Sequence, residues 1–186
     1  MQDFWVFGYG SLMWRPGFDH LETRPALLRG ARRSLCVYSH VHRGTPEKPG
    51  LVLGLDLGGS CKGVAFRVAA EHQAATLAYL REREQATKVY REAYRRVRFL
   101  DGDGGEAEAL VFMIDRAHPQ YAGALSVTEQ LPYVLQGRGI SGPCADYVRS
   151  TVLHLRELAI FDRELEAVVA ALDGVAPTVP VLDQAR

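Results

Sequence analysis

Few residues in this chain have the type and spacing for covalent chemistry, and the best placed is a single carboxylate. Across Ala69–Gln85 apolar residues recur at helical spacing. On a wheel of 100° per residue, Ala70, Ala74, Leu80 and Glu84 fall within about 60° of Leu77. Glu84 lies about 20° from Leu77, whereas Glu82 lies about 140° away. Arg81, Glu82 and Arg83 fall mostly on the flank and outer face of this helix. A carboxylate aimed along a core stripe is desolvated, which raises its pKa and suits it to general-base work. The competing reading is a helix-end glutamate paired with Arg81 or Lys88 at the surface.

The second feature is the stretch FWVFGYGSLMW, Phe4–Trp14, an apolar strand that breaks at Gly8-Tyr9-Gly10-Ser11. It is either a tight turn or a loop that keeps backbone N–H groups free for an anion. Gly8 and Gly10 allow the angles of an anion-binding nest. A dinucleotide fingerprint is weak here, because Met13 replaces its third glycine. Arg43, in HRG, is a clamp for a carboxylate or an exposed loop arginine. His40 and His42 are two apart, but no nearby carboxylate or cysteine completes a metal site, so they read as loop histidines. Cys144 sits at a predicted helix start, where thiolates form more easily, yet a structural role fits it better. YREAYRRVRF, Tyr90–Phe99, reads as a strand with one solvated face rather than an RNA surface. The sequence has no GxSxG, HExxH, P-loop or CxxC pattern.

The elements that must position these residues follow from the pattern. Strands are predicted over Phe4–Phe7, Ala26–Ser39, Val89–Leu100 and Glu106–Asp115, the last two joined by a turn at Asp101–Gly105. Leu51–Leu57 and Cys61–Val68 read as a hairpin around Gly58-Gly59-Ser60. A polar loop covers His40–Gly50. Ser126–Glu129 has the form of a capping box, although Pro132 sits awkwardly for a helix that begins there. Gly142-Pro143 opens a helix with Tyr147, Val148, Thr151, Val152, Leu155 and Leu158 at helical spacing. Asp162 caps a last helix with Leu165, Val168, Val169 and Leu172 on its apolar face, ended by Gly174. Strands first, one inserted helix, then helices make an α+β protein, with a mixed or antiparallel sheet curled around a core. One domain over residues 1–174 and a loose tail over 175–186 are expected.

Bulk properties narrow the function. Over 186 residues, 22 basic side chains balance 22 acidic ones, so no global field recruits nucleic acid or an acidic membrane. No apolar run reaches membrane-spanning length, and the first residues carry no signal-like pattern. Three widely spaced cysteines argue against a disulfide framework and for a reducing cytoplasm. No helix offers a spare apolar face, so a monomer is expected.

Taken in order, WVFGYGSLMW, HRGTPEKPGLV, AYLRERE and SGPCADYV resemble the ChaC-type glutathione-specific γ-glutamylcyclotransferases, from about Phe4 to the helices near residue 172. The resemblance implies a small closed β-barrel with flanking helices and a cytoplasmic lyase. The enzyme would convert glutathione to 5-oxoproline and Cys-Gly, with no metal or other cofactor. It also implies that Tyr9, Gly10, Ser11 and Leu12 cradle the γ-glutamyl group, that Glu84 is the catalytic acid–base, and that Tyr147 contacts substrate. Arg43 is a further candidate for binding. Two positions depart from the family pattern: Cys144 stands where members carry Asn, and Ala75 where an acidic residue is frequent. Two alternatives stay open: a cyclotransferase for other γ-glutamyl compounds, and a non-catalytic γ-glutamyl-metabolite sensor that regulates a partner such as a cation transporter.

Overall fold

The computed structural model describes residues 3–84, 88–102 and 104–174. Gln85 of the predicted helix, Asp103 of the predicted turn and the tail from 175 to 186 lie outside the described residues. Five strands close a barrel in the order β1 (Phe4–Gly8), β3 (Gly50–Val68), β2 (Glu22–Ser39), β4 (Tyr90–Phe99), β5 (Glu106–Ile114). All neighbours are antiparallel except the closing pair, where β1 runs parallel to β5 through Trp5↔Ala109 and Val6↔Leu110. The α+β barrel inferred above is thus the observed architecture.

β1 is apolar throughout because it is buried on both faces. Phe7 points into the barrel cluster, while Val6 packs with Leu110, Phe112 and Leu80 beneath α1 (Gln73–Glu84). On the opposite flank α2 (Val127–Gln136), α3 (Cys144–Glu157) and α4 (Arg163–Gly174) pack on one another and on β2 and β3. Two-residue strands β6 (Arg138–Gly139) and β7 (Gly142–Pro143) lead into α3. No helix among the described residues is long and apolar enough to cross a membrane.

Several expected boundaries change. Gly58-Gly59-Ser60 is no hairpin turn: β3 runs through it and stays paired with β2 from Arg67↔Glu22 to Gly50↔Ser39. The register shifts between Arg29↔Ser60 and Ala31↔Leu57, where Gly30, Gly58 and Gly59 all take left-handed angles. Both strands therefore kink at one level, which curls the long ribbon into a barrel wall. β2 starts four residues early, at Glu22, and includes Pro25. The Pro25 carbonyl accepts from Leu100 N–H on the β4 side, so its missing N–H faces the margin where the β2–β4 ladder ends.

The predicted α1 splits into a 3-10 turn (Ala70–His72) and the helix proper. Its buried residues are Thr76 and Leu80, whereas Ala74 is exposed. The capping box at Ser126 and Glu129 is formed, and Pro132 sits inside α2 without moving its start. Asp162 Oδ1 caps α4 by accepting from Leu165 N–H at 3.2 Å. Leu158 ends α3 and is exposed rather than on the buried stripe.

Candidate active site

The expected loop, helix and tyrosine converge at one end of the barrel. A cavity of about 90 Å³ is lined by Tyr9, Gly10, Ser11 and Leu12 from the loop after β1, by Glu84 at the end of α1, by Tyr147 of α3, and by Val52, Leu53 and Tyr90 from the barrel wall. Six of the seven sequence candidates therefore meet. Arg43 does not line this cavity: its guanidinium donates to the Ser141 carbonyl and, at 3.4 Å, to that of Pro143, and it lies 5.3 Å from the centroid of the Tyr147 ring.

The loop is shaped by a single 3-10 turn over Ser11–Met13, closed by Met13 N–H on the Gly10 carbonyl at 2.9 Å and Arg15 N–H on that of Ser11 at 2.8 Å. The first N–H groups of such a turn find no acceptor within it and face whatever lies before it. The glycines do not supply the left-handed angles of a nest, since neither Gly8 nor Gly10 has positive φ. Gly8 is needed for space: a Cβ there would lie 3.2 Å from that of Leu12 and 3.3 Å from the Phe66 ring. Beneath the loop the buried Arg33 donates from Nε to the Tyr9 carbonyl at 2.5 Å, from Nη2 to the Lys62 carbonyl at 2.7 Å, and from Nη1 to Asp162 at 2.9 Å.

Glu84 reaches the cavity along the buried stripe of α1, with 18% of its side chain exposed. Burial pushes its carboxyl above the ordinary range, and the Arg83 guanidinium, 3.5 Å away, opposes that shift. Among the described residues this is its only ion pair. Lys88 and Arg81, the surface partners considered for it, do not hold it, and Arg81 pairs with Glu92 instead. The three surrounding phenols stay protonated at neutral pH. Burial drives Tyr9 and Tyr90 well above their usual range and Tyr147 to about 12. Tyr90 donates to the Leu53 carbonyl at 2.7 Å, while Tyr147 accepts from Leu53 N–H at 3.2 Å and so keeps its own proton to donate.

Sequence reasoning missed three participants. Arg83, placed with its neighbours on the flank and outer face and given no role, is half-buried: it donates to Ser11 Oγ at 2.8 Å, to Tyr79 Oη at 2.9 Å and to the Arg15 carbonyl at 2.7 Å. Tyr90 carried a signal only as part of an arginine–tyrosine strand. Arg33 carried none, because its partners come from three distant segments. Cys144 is buried, its thiol held up by desolvation; it donates to the Leu51 carbonyl at 3.0 Å and accepts from Leu51 N–H at 3.3 Å. That two-way bond to the backbone of one residue is a structural job. His42 Nδ1 lies 3.0 Å from Ser141 Oγ, and His40 stacks on Tyr38, so the two histidines face different partners.

A closed five-stranded barrel with a Gly-Tyr-Gly-Ser loop set against an inward glutamate defines a protein of the γ-glutamylcyclotransferase-like fold. Solved structures agree: the yeast γ-glutamyl cyclotransferase specific to glutathione matches with a TM-score of 0.84, covering 94% of this chain and 97% of that one at 20% identity. Within that fold the chain belongs to the ChaC-like protein family, which it matches over residues 4–174. It is 33% identical over 168 residues to the glutathione-specific γ-glutamylcyclotransferase of Escherichia coli K12, covering 90% of this chain and 72% of that one. Human glutathione-specific γ-glutamylcyclotransferase 1 is 31% identical, with coverage of 99% and 85%. Gamma-glutamylcyclotransferase 2-3 of Arabidopsis thaliana is also 31% identical, over 87% of this chain and 84% of the plant protein.

Proposed function

We propose that this protein is a glutathione-specific γ-glutamylcyclotransferase, a lyase that releases 5-oxoproline and Cys-Gly, with Glu84 as the group that moves the proton. The observation that carries the role of Glu84 is its burial in a small cavity, against the glycine loop, with a pKa raised by desolvation. In the reaction the substrate's α-amine attacks its own γ-carbonyl, closing a five-membered lactam. One C–N bond forms and the peptide C–N bond to cysteine breaks, so atoms balance without water or a second reactant.

The enzyme's tasks are then orientation and proton transfer. The cavity holds the γ-glutamyl chain folded back on itself, and orientation of this kind is worth several kcal/mol. Glu84 takes a proton from the attacking ammonium and returns it to the departing amine. A carboxyl with a raised pKa does both more readily than an ordinary one. The loop N–H groups hold the α-carboxylate or the developing oxyanion, and the free proton of Tyr147 is a further donor into the same space. Arg33 holds the loop from beneath, and Arg83 ties its Ser11 hydroxyl to the Glu84 carboxylate.

The test is 5-oxoproline release from glutathione by the wild-type protein and by Glu84→Gln, which keeps shape and removes the base. A loss of at least about 10²-fold in kcat, with the thermal melt of a folded protein, is expected. A Glu84→Gln variant that retains most activity would sink the assignment of the base. Wild-type turnover of γ-glutamyl amino acids in preference to glutathione would redirect the substrate, and glutathione binding without turnover would point to a sensor.

A further inference from the structure

On the cyclotransferase reading, a cavity of about 90 Å³ has room for the γ-glutamyl end of a tripeptide but not for the whole of it, so the Cys-Gly portion would extend into an adjoining cleft. Two clefts open from it. One, of about 350 Å³, leads past Glu84 and Tyr90 toward Tyr38, His40 and Gln120. The other, of about 480 Å³, leads past Ser11 and Tyr147 toward Trp14, Arg15, Arg43 and His154.

Their charges differ. In the first cleft the cation is Arg83, already paired with Glu84 at 3.5 Å. In the second, neither Arg15 nor Arg43 has a carboxylate partner among the described residues. Arg43 spends one terminal nitrogen on the Ser141 and Pro143 carbonyls, which fixes the guanidinium beside Tyr147 and leaves its other N–H groups uncommitted among the described residues. The side chain of Arg15 makes no hydrogen bond or ion pair among the described residues. Asp146 is the one acid of this lining, against two guanidinium groups.

The position of Arg43 is built rather than incidental. Gly50 and Gly137 bring the backbones of the 40–50 loop and the α2–β6 junction into contact: a Cβ on Gly137 would lie 2.5 Å from the Arg43 carbonyl and 2.5 Å from Gly50 Cα.

From these observations we infer that the Arg15–Arg43 cleft is a subsite for the substrate's distal carboxylate, the glycine carboxylate of glutathione, and that it sets the preference for the tripeptide. The inference rests on the cyclotransferase reading above. Arg43 is a carboxylate clamp, as the sequence suggested, but for the far end of the substrate instead of the γ-glutamyl end. Charge-assisted hydrogen bonds from a fixed guanidinium to a carboxylate account for a preference of roughly 10- to 100-fold over a neutral group of the same shape.

The experiment compares kcat/KM for glutathione with that for glutathione C-terminal carboxamide, which differs only in that charge, at low ionic strength. The wild-type protein is expected to favour glutathione by roughly 10- to 100-fold, mainly through KM. That ratio should fall toward one in Arg43→Gln and Arg15→Gln, and Arg43→Lys should restore part of it. Arg15→Gln guards against misfolding of the Arg43 variant, since the Arg15 side chain holds nothing else in place among the described residues. Equal wild-type turnover of the two compounds, or an unchanged ratio in both Gln variants, overturns the subsite alone. No 5-oxoproline from either compound overturns the cyclotransferase reading and the subsite with it.

Discussion

At Glu84 two influences pull in opposite directions: burial favours the protonated carboxyl and Arg83 favours the carboxylate, and burial wins. As the proposed base, Glu84 must be ionised to accept a proton, so kcat/KM is expected to fall as pH drops through its raised pKa, with the acid limb of the profile above the ordinary carboxylate range. Arg83→Met removes the opposing cation and so raises that pKa further, moving the acid limb to higher pH. It also frees Ser11 Oγ from its charged donor, for a loss of roughly 10- to 100-fold in kcat/KM near neutrality. A profile that keeps its acid limb while activity falls would reduce Arg83 to a strut for the loop. Glu84 itself was legible in the sequence because helical period alone aims it at the core. Arg83 was not, because its meaning lies in Ser11 and the Arg15 carbonyl, which the chain brings from the first strand's loop.

Among the elements, the loop after β1 depends on a helix far along the chain. Asp162 caps α4 through Oδ1 and holds Arg33 through Oδ2, and Arg33 in turn holds the Tyr9 carbonyl. Replacing Arg33 by Met leaves Asp162 partly buried and unpaired. A loss of about 3 kcal/mol is expected, the low end for a broken buried pair because Asp162 keeps some contact with water. Denaturant midpoints measure it, and a rise in KM for glutathione should accompany it as the loop loosens. The helices of this region were readable from their caps and spacing, since Ser126, Glu129 and Asp162 signal locally. The β2–β3 ribbon was misread because glycine pairs mark a reversal and a kink with the same letters. Only Gly30 on the partner strand, with its left-handed φ, distinguishes the two.

For the molecule as a whole, the barrel is held between α1 on one side and three helices on the other, and the cavity lies where these two packings meet. Phe112 is buried between β5 and α1 with Leu80 and Val6. Phe112→Ala should cost about 3–5 kcal/mol in stability and lower activity as well, because the helix it undermines carries Glu84. Wild-type turnover from a destabilised but folded variant would show that α1 keeps its seat without that ring. The α+β class was visible in the order of strands and helices. The closing of the barrel was legible only through the family resemblance, because it pairs residues about a hundred positions apart and leaves no local pattern.

That closing seam bears on how the protein comes into being. Contacts between segments so distant in the chain form late, since the intervening loop must be ordered first. The cradle rides on β1, whose partner β5 ends only at Ile114. During synthesis, then, the segment that is to hold the substrate emerges early and waits for its wall. A ribosome-bound chain that ends before β5 carries Gly10, Ser11 and Glu84 but lacks both the strand that closes the barrel and the helix α3 that brings Tyr147, so the cavity is complete only after α3 has followed the last strand of the barrel.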